Sequence, residues 1–182
     1  RQCVGRLIQA LLPEPGAVLA SDKPENRLAL ITTTGSGNQP AIASPLTANA
    51  ADALRSLDQQ SFFTVHLPTI LPATHLASLE LEGDRARPDA SARKVLVFLT
   101  PSKPVDAEAI TEPDNPIQRA KDRGMTVFSI GLPGIDGIPE IPLKAAASSP
   151  DRHFFTLTSD ADIAGIVSAI SRDDCDRISR PS

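Results

Sequence analysis

The chain has 182 residues, 41% of them hydrophobic and 22% charged, which is enough for one domain with a hydrophobic core. A formal net charge of −4, with six Phe and neither Trp nor Tyr, excludes the basic surfaces and base-stacking platforms of nucleic-acid-binding proteins. No apolar run approaches the ~18 residues of a membrane-spanning helix, so no membrane span is predicted. Arg1 does not open a signal peptide, so we expect a mature or excised segment rather than a whole precursor.

The first half of the chain contains a helix, two short strands and two further helices. Apolar residues at helical spacing predict an amphipathic helix over residues 2–12, which Pro13 and Pro15 end. The other predicted elements of this half, in chain order, are a loop over 16–25, a strand over 27–33, a turn at 35–38, a short edge strand over 41–44, a helix over 49–57, a weaker helix over 70–82 and a polar linker over 83–93.

The second half alternates apolar strands with helical segments. Its predicted elements are a strand over 94–100, a partly helical segment over 105–123 that Pro113 and Pro116 interrupt, a strand over 124–131, a segment over 143–149, a strand over 152–157 and a helix from Ser159. Strands that are apolar on both faces, each followed by a crossover helix, are typical of a parallel sheet covered on both sides. The predicted fold class is therefore α/β, a doubly wound and mostly parallel sheet with helices on both faces.

The last helix has a recognisable start. Ser159 followed by Asp162 approximates a capping box, although Asp replaces the usual Glu or Gln. The pair Asp160 and Asp162 has the spacing of a paired-carboxylate motif, but its place at a helix start favours capping and stabilisation of the helix dipole.

Three segments of the second half resemble a von Willebrand factor A domain. They are residues 95–100 (Val-Leu-Val-Phe-Leu-Thr), residues 120–131 and residues 143–155. The resemblance is to the extracellular-matrix branch, as in the A domains of collagen VI and related collagens, and weaker similarity extends it back to Arg1. We therefore expect a single domain over residues 1–175, followed by a C-terminal tail or linker over 176–182.

The resemblance also implies that the central first strand of the sheet is missing from this chain. In an A domain this strand precedes the first helix, whereas the chain begins at that helix. A doubly wound sheet without it leaves two rows of unpaired backbone groups in the core. We expect residues upstream of Arg1 to supply the strand.

In A domains the upper face, where the carboxyl ends of the strands lie, usually binds a divalent metal through three loops. The first loop, Asp-x-Ser-x-Ser, belongs to the missing strand, and the near match at residues 89–93 ends in Arg and is interpreted as linker. The second loop offers a Thr, either Thr69 or Thr74. The third loop carries Thr100 and Ser102, with Pro101 in the place of the family's acid.

Loss of that carboxylate removes a charge that offsets the cost of dehydrating the ion. We therefore expect a degenerate, metal-free upper face and no cofactor; weak Mg²⁺ binding is expected only if the upstream strand carries Asp-x-Ser-x-Ser. The candidate binding residues on this face are Thr69, Thr74, Thr100 and Ser102. For Thr100 and Ser102 the alternative is a strand-end turn whose hydroxyls bond to the backbone.

The two cysteines lie near the two ends of the chain. Cys3 belongs to the apolar stripe of the first helix, which predicts a buried free thiol. Cys175 is placed just beyond the last helix. The A-domain topology puts Cys3 near the upper face and Cys175 at the opposite end, too far apart for a disulfide. Cys175 is therefore a candidate for a disulfide to another chain or module.

The resemblance implies a secreted, non-enzymatic protein-interaction or adhesion module, with other extracellular-matrix proteins or neighbouring chains as partners. The first alternative is a Rossmann-like enzyme with catalytic residues at the strand ends. Those ends, at residues 32–34, 100–102 and 131–133, contain no titratable side chain. The second alternative is an intracellular A domain that acts as a scaffold; a disulfide at Cys175 would count against it.

Overall fold

The computed structural model describes residues 2–12, 27–33, 39–59, 68–84, 93–134 and 137–178, and among these the side chains of residues 4–171. The elements, in chain order, are α1 (Gln2–Leu11), β1 (Leu28–Thr32), β2 (Ala41–Thr47), α2 (Ala50–Gln59), α3 (Ile70–Glu82), β3 (Val95–Thr100), a 3-10 turn (Ala109–Thr111), α4 (Pro116–Asp122), β4 (Thr126–Gly131), α5 (Glu140–Ala146), α6 (Pro150–His153), β5 (Phe154–Thr156) and α7 (Asp160–Ile178).

The strands form two separate sheets. β3, β4 and β5 form a parallel sheet in that order, and its register runs from the pair Val95 and Thr126 to the pair Thr100 and Gly131. β1 and β2 form an antiparallel pair. In β2 the exposed Pro45 marks the outer edge, because proline cannot donate a ladder hydrogen bond and is confined to edge strands. β1 is therefore the inner strand of this pair.

Helices cover both faces of the parallel sheet. All six residues of β4 are buried, as the central strand of such a sheet requires. Val127 packs into a cluster with residues of α3, α4 and α5, whereas Phe128 and Ile130 pack on the other face with residues of α1 and α7. The predicted α/β class and the helices on both faces are confirmed.

The two sheets are not hydrogen-bonded to each other among the described residues. β1 and β3 are not paired with each other, although the same helices cover both strands. On one side Leu7 of α1 packs with the β4 cluster, while Ile8 and Leu12 pack with β1 and α2. On the other side α3 contacts β1, β2 and β3. α1 and α3 therefore lie over the position between β1 and β3 where the resemblance places the central strand that precedes α1 in the family.

The last helix is longer than the sequence predicts. α7 continues to Ile178, so Cys175 lies within it and not beyond its end, and the helix enters the segment assigned to the tail. The physical reason is that no Pro or Gly occurs between Ile166 and Ile178 to end the helix. The side chains of Cys3 and Cys175 lie outside the described part, so the free thiol and the intermolecular disulfide remain predictions.

The strand predicted over residues 152–157 is shorter than expected. Pro150 opens a single helical turn, α6, because its fixed backbone angle suits the first position of a helix. The strand β5 therefore begins only at Phe154 and spans three residues. The interruption predicted around Pro113 and Pro116 is confirmed, since α4 begins at Pro116 after the 3-10 turn.

Candidate functional site

The upper face is formed by the aligned carboxyl ends of β3, β4 and β5, the loops that follow them and the start of α3. Backbone hydrogen bonds tie each strand end to the next. The N–H of Leu132 donates to the Thr100 carbonyl at 2.9 Å, and the N–H of Leu157 donates to the Gly131 carbonyl at 3.0 Å. The three loops therefore leave the sheet side by side, as ligand-binding loops of open α/β sheets do.

The loop after β3 uses its hydroxyl groups internally. Thr100 is 2% exposed, and its Oγ1 donates to the Ser102 carbonyl at 2.8 Å. The same oxygen accepts from the Ser102 N–H at 3.3 Å. Thr100 thus stabilises a strand-end turn, and the side chain of Ser102 stands at the partly exposed rim of the loop.

The loop after β4 packs closely over the loop after β3. A Cβ atom built on Gly134 would lie 1.8 Å from the Pro101 carbonyl oxygen, so only glycine permits this contact. The backbone at Gly134 therefore contacts the Pro101 carbonyl, at the position where the resemblance places the family's acid. What remains accessible there is an apolar rim that includes the exposed residues Pro101 and Pro133.

Of the two candidate threonines near α3, only Thr69 lies at the upper face. It precedes the helix at the N-cap position, and its buried Oγ1 has no hydrogen-bond partner among the described residues. Thr74 is fully buried one turn into α3, where its Oγ1 donates to the Ile70 carbonyl at 2.8 Å. The structure therefore brings Thr69, Thr100 and Ser102 to this end of the sheet and places Thr74 inside the core.

Asp106 is an upper-face residue that the sequence did not single out. Its Oδ1 accepts from the Ile70 N–H at 3.1 Å, and its Oδ2 accepts from the Leu71 N–H at 2.7 Å. Next to it, the Val105 N–H donates to the Pro68 carbonyl at 3.0 Å. Asp106 thus caps α3 from a distant loop, a role that Thr69 at the N-cap does not perform.

Two further carboxylates lie at the start of α7, and both have partners. Asp160 forms an ion pair with Arg6 of α1. Oδ2 of Asp162 accepts hydrogen bonds from the backbone N–H groups and hydroxyls of Thr158 and Ser159. The predicted capping role at Asp162 is confirmed. These bonds, led by the backbone N–H groups of Ser159 and Thr158, lower the pKa of the Asp162 carboxyl.

The lowered pKa of Asp162 gives a testable pH dependence. A carboxylate whose pKa is lower in the folded state stabilises the fold above its unfolded pKa of ~3.9, and this contribution is lost as the pH falls through the folded pKa. Asp162→Asn should therefore lower Tm at pH 7, and the difference from the parent chain should shrink as the pH falls below about 4. Thermal unfolding across this range, with the exposed Asp84→Asn as the control, measures it. A difference that stays constant with pH would contradict the assignment.

The described residues that could ligate a metal ion at the upper face are partly engaged in other hydrogen bonds. Within the residues that the structure describes, no three His, Cys, Asp or Glu side chains come together in a way that could hold an ion. The hydroxyl of Thr100 donates to a carbonyl, and both oxygens of Asp106 accept from backbone N–H groups. A hard cation such as Mg²⁺ needs several oxygen ligands that are free to coordinate it.

Three carboxylates at this face have structural roles. Asp106 and Asp162 cap helices, and Asp160 pairs with Arg6. His153 is buried away from these loops, with its ring centroid 4.5 Å from that of Phe128, and His75 is exposed on α3. His66 lies outside the described residues. No nucleophile and base are brought together among the described side chains of this face.

The sequence matches a family model described as the von Willebrand factor type A domain over residues 1–169. No curated protein matches the sequence. None of the helices in the described ranges is both long enough and apolar enough to cross a bilayer.

Solved structures with the same fold come from diverse proteins. Proximal thread matrix protein 1 of the mussel byssus is 17% identical, with a TM-score of 0.66 over 96% of this chain and 40% of that one. The type V pili tip protein Mfa5 of Porphyromonas gingivalis is 12% identical, with a TM-score of 0.69 over 100% of this chain and 88% of its domain. The SpRpn10 VWA domain is 20% identical, with a TM-score of 0.62 over 92% of this chain and 79% of that domain. The chain thus spans about two fifths of the byssal protein, and identities this low show the fold alone.

Proposed function

The chain belongs to the von Willebrand factor type A family, a family of protein-interaction modules, and we propose that it is a non-enzymatic module that binds protein partners without a metal ion. The observation that carries the proposal is that two oxygen-bearing side chains of the upper face already have hydrogen-bond partners within the domain. They are the Thr100 hydroxyl and the Asp106 carboxylate, and both are engaged in hydrogen bonds within the domain.

The accessible chemistry of the upper face supports a protein contact. Its rim presents Pro101, Pro133 and the 62% exposed Val105, with the partly exposed hydroxyl of Ser102 beside them. An apolar centre with a few polar groups at its edge is the composition of many protein–protein interfaces. Thr100 then acts mainly by holding its loop in shape, Ser102 is the proposed polar contact, and Thr69 remains a candidate contact residue at the start of α3.

The proposed setting is the extracellular matrix, with other matrix proteins or neighbouring chains as partners. This rests on the resemblance of residues 95–155 to the A domains of collagen VI. The likeness in fold to a byssal matrix protein is compatible with it. In such a setting Cys175, carried on the last helix, is proposed to form a disulfide to another chain or module.

Binding to matrix proteins should be independent of divalent cations. We expect the immobilised chain to bind at least one protein of a purified panel (collagen VI, fibrillar collagen, fibronectin and laminin) equally well in EDTA and in Mg²⁺, and its Tm to be the same in both. A loss of binding, or a fall of several degrees in Tm, on adding EDTA would show that an ion is bound and that the metal-free proposal is wrong.

A pair of matched variants locates the contact. Pro133→Lys places a charge on the exposed apolar rim of the upper face, which is the proposed contact surface. Binding should weaken by about tenfold or more, because the unpaired charge must be desolvated when the partner binds. Gln9→Lys adds a charge of the same sign on the exposed side of α1 and should leave binding unchanged. Equal losses of binding in both variants would show that the contact does not lie on the upper face.

A further inference from the structure

We propose that the exposed surface shared by α5 and the loop between β3 and α4 docks a partner segment that carries aliphatic and cationic side chains together. The proposal rests on the protein-binding function described above and names the chemistry of the partner. The surface consists of Val105, Glu108 and Glu112 in the loop and of Ile141 and Ala145 in α5, and we call it the α5 surface.

The loop between β3 and α4 winds as an irregular helical turn. The N–H of Ile110 donates to the Asp106 carbonyl at 3.2 Å, and the Ile110 side chain is buried in the core cluster beneath α3 and α5. Residues three or four positions apart in such a turn lie on the same side. Val105, Glu108 and Glu112 therefore form one exposed stripe on the solvent side of the loop.

α5 adds a second exposed stripe beside the first. Ile141 is 82% exposed and Val105 is 62% exposed, and they are the two most exposed large hydrophobic side chains of the described residues. Ala145 lies one turn after Ile141 and is exposed on the same side of the helix. α5 contacts the 3-10 turn that Glu108 and Glu112 flank, so the two stripes lie on neighbouring elements. Together they offer apolar area that a partner can bury.

Carboxylates accompany these apolar groups. Residues 101–115 contain four carboxylates and one lysine. Asp106 caps α3, and Asp114 forms an ion pair within the domain. Glu108 and Glu112 are exposed, and neither forms an ion pair with a residue that the structure describes. The loop is therefore negatively charged, and it attracts a cationic partner.

The neighbouring lysines do not neutralise this charge. Lys144 pairs with Glu140 at 2.7 Å, and its ammonium lies 5.2 Å from the centroid of the Phe154 ring, on the β5 side of α5. Lys121 donates to backbone carbonyls at the other end of α5. Lys103 is the single lysine of the loop, so the two unpaired glutamates outnumber it.

These surroundings specify the partner segment. Val105 and Ile141 fit aliphatic side chains, and Glu108 and Glu112 fit lysine or arginine. The long stem of a lysine or arginine covers apolar surface while its charged end reaches a carboxylate. An acidic segment of the same shape is repelled, which makes the sign of the charge the basis of selection.

An NMR titration of the 182-residue chain tests the proposal. The probe is an acetylated and amidated peptide, Lys-Leu-Lys-Leu-Lys-Leu-Lys, and the matched control replaces each lysine with glutamate. The lysine peptide should shift the amides of Val105, Glu108, Glu112 and Ile141 most, and its affinity should fall by about fivefold or more when the ionic strength is raised to ~0.15 M. The glutamate peptide should bind at least ~10-fold more weakly.

A matched pair of charge reversals locates the contact. Glu108→Lys combined with Glu112→Lys should weaken binding of the lysine peptide by about tenfold or more, because attraction is replaced by repulsion. Asp58→Lys combined with Asp84→Lys makes the same change of charge at exposed positions of other surfaces and should alter the affinity by less than about twofold. Equal losses in the two double variants would overturn the proposal, because only the overall charge of the chain would then matter.

A second matched pair tests the apolar contact. Ile141→Ser should weaken binding by about threefold or more, whereas Leu79→Ser, at a 52% exposed position of α3, should leave it unchanged. Tighter binding of the glutamate peptide, or amide shifts centred on another surface, would each overturn the proposal.

The proposed protein-binding function fails by different observations. The peptide titration involves neither a matrix protein nor a metal ion. If a matrix protein binds equally in EDTA and in Mg²⁺ but is unaffected by the double variant at Glu108 and Glu112, the partner chemistry is wrong and the protein-binding function stands. If no matrix protein of the panel binds, the proposed setting is wrong whatever the peptide does.

Discussion

Replacing Phe128 with alanine should lower the free energy of unfolding by about 3–5 kcal/mol, the usual cost of emptying a buried aromatic site. Phe128 is fully buried at the centre of β4 and packs on His153 and Phe155 beneath α1 and α7. In a domain of this size each kcal/mol corresponds to roughly 2–4 °C in Tm, so a loss on the order of 10 °C is expected. Urea denaturation at 25 °C, with m compared between variants, measures it.

The controls for Phe128 differ in burial and in shape. Phe155→Ala removes the same side chain from a partly exposed position on the edge strand β5 and should cost clearly less. Phe128→Leu keeps most of the buried volume and should cost about 1.5 kcal/mol or less. If Phe128→Ala cost no more than Phe155→Ala, α1 and α7 would not close over this face of the sheet.

Local patterns were enough to predict the parallel sheet. The apolar runs at 94–100 and 124–131 are enough to predict two of its strands, because a strand buried on both faces leaves a continuous run of apolar residues. The cap at Asp162 was also predictable, since its partners Thr158 and Ser159 lie within four residues. Interactions of this kind can be predicted because both partners lie in the same short stretch of sequence.

Contacts between residues far apart in the sequence, and the ends of helices that have no clear stop signal, could not be predicted in this way. Asp106 caps α3 across 36 and 35 residues of sequence, and nothing near it indicates that partner. The end of α7 lies further along the chain than the pattern predicts, because its polar, charged residues continue a helix readily. The burial of Thr74 followed from the rotation of α3, which the sequence pattern left open.

Asp106 is the residue whose loss should change the upper face most. Asp106→Ala removes two charge-assisted hydrogen bonds and leaves the first N–H groups of α3, at Ile70 and Leu71, without their acceptor. We expect the free energy of unfolding to fall by about 2 kcal/mol, the upper range for loss of a helix cap. Urea denaturation measures the loss, and faster amide exchange at Ile70 and Leu71 should accompany it.

Two further variants separate this effect from a simple loss of charge. Asp114→Ala removes an exposed carboxylate that pairs with Arg119 at the surface, and it should cost about 0.5 kcal/mol or less. Asp106→Asn keeps one acceptor and should recover part of the stability.

If the upper face binds protein through loop shape and not through an ion, Asp106→Ala should also weaken partner binding equally in EDTA and in Mg²⁺. An Asp106→Ala chain as stable as Asp114→Ala would show that the loop after β3 is not held by α3, and an effect confined to Mg²⁺ would make Asp106 a metal ligand.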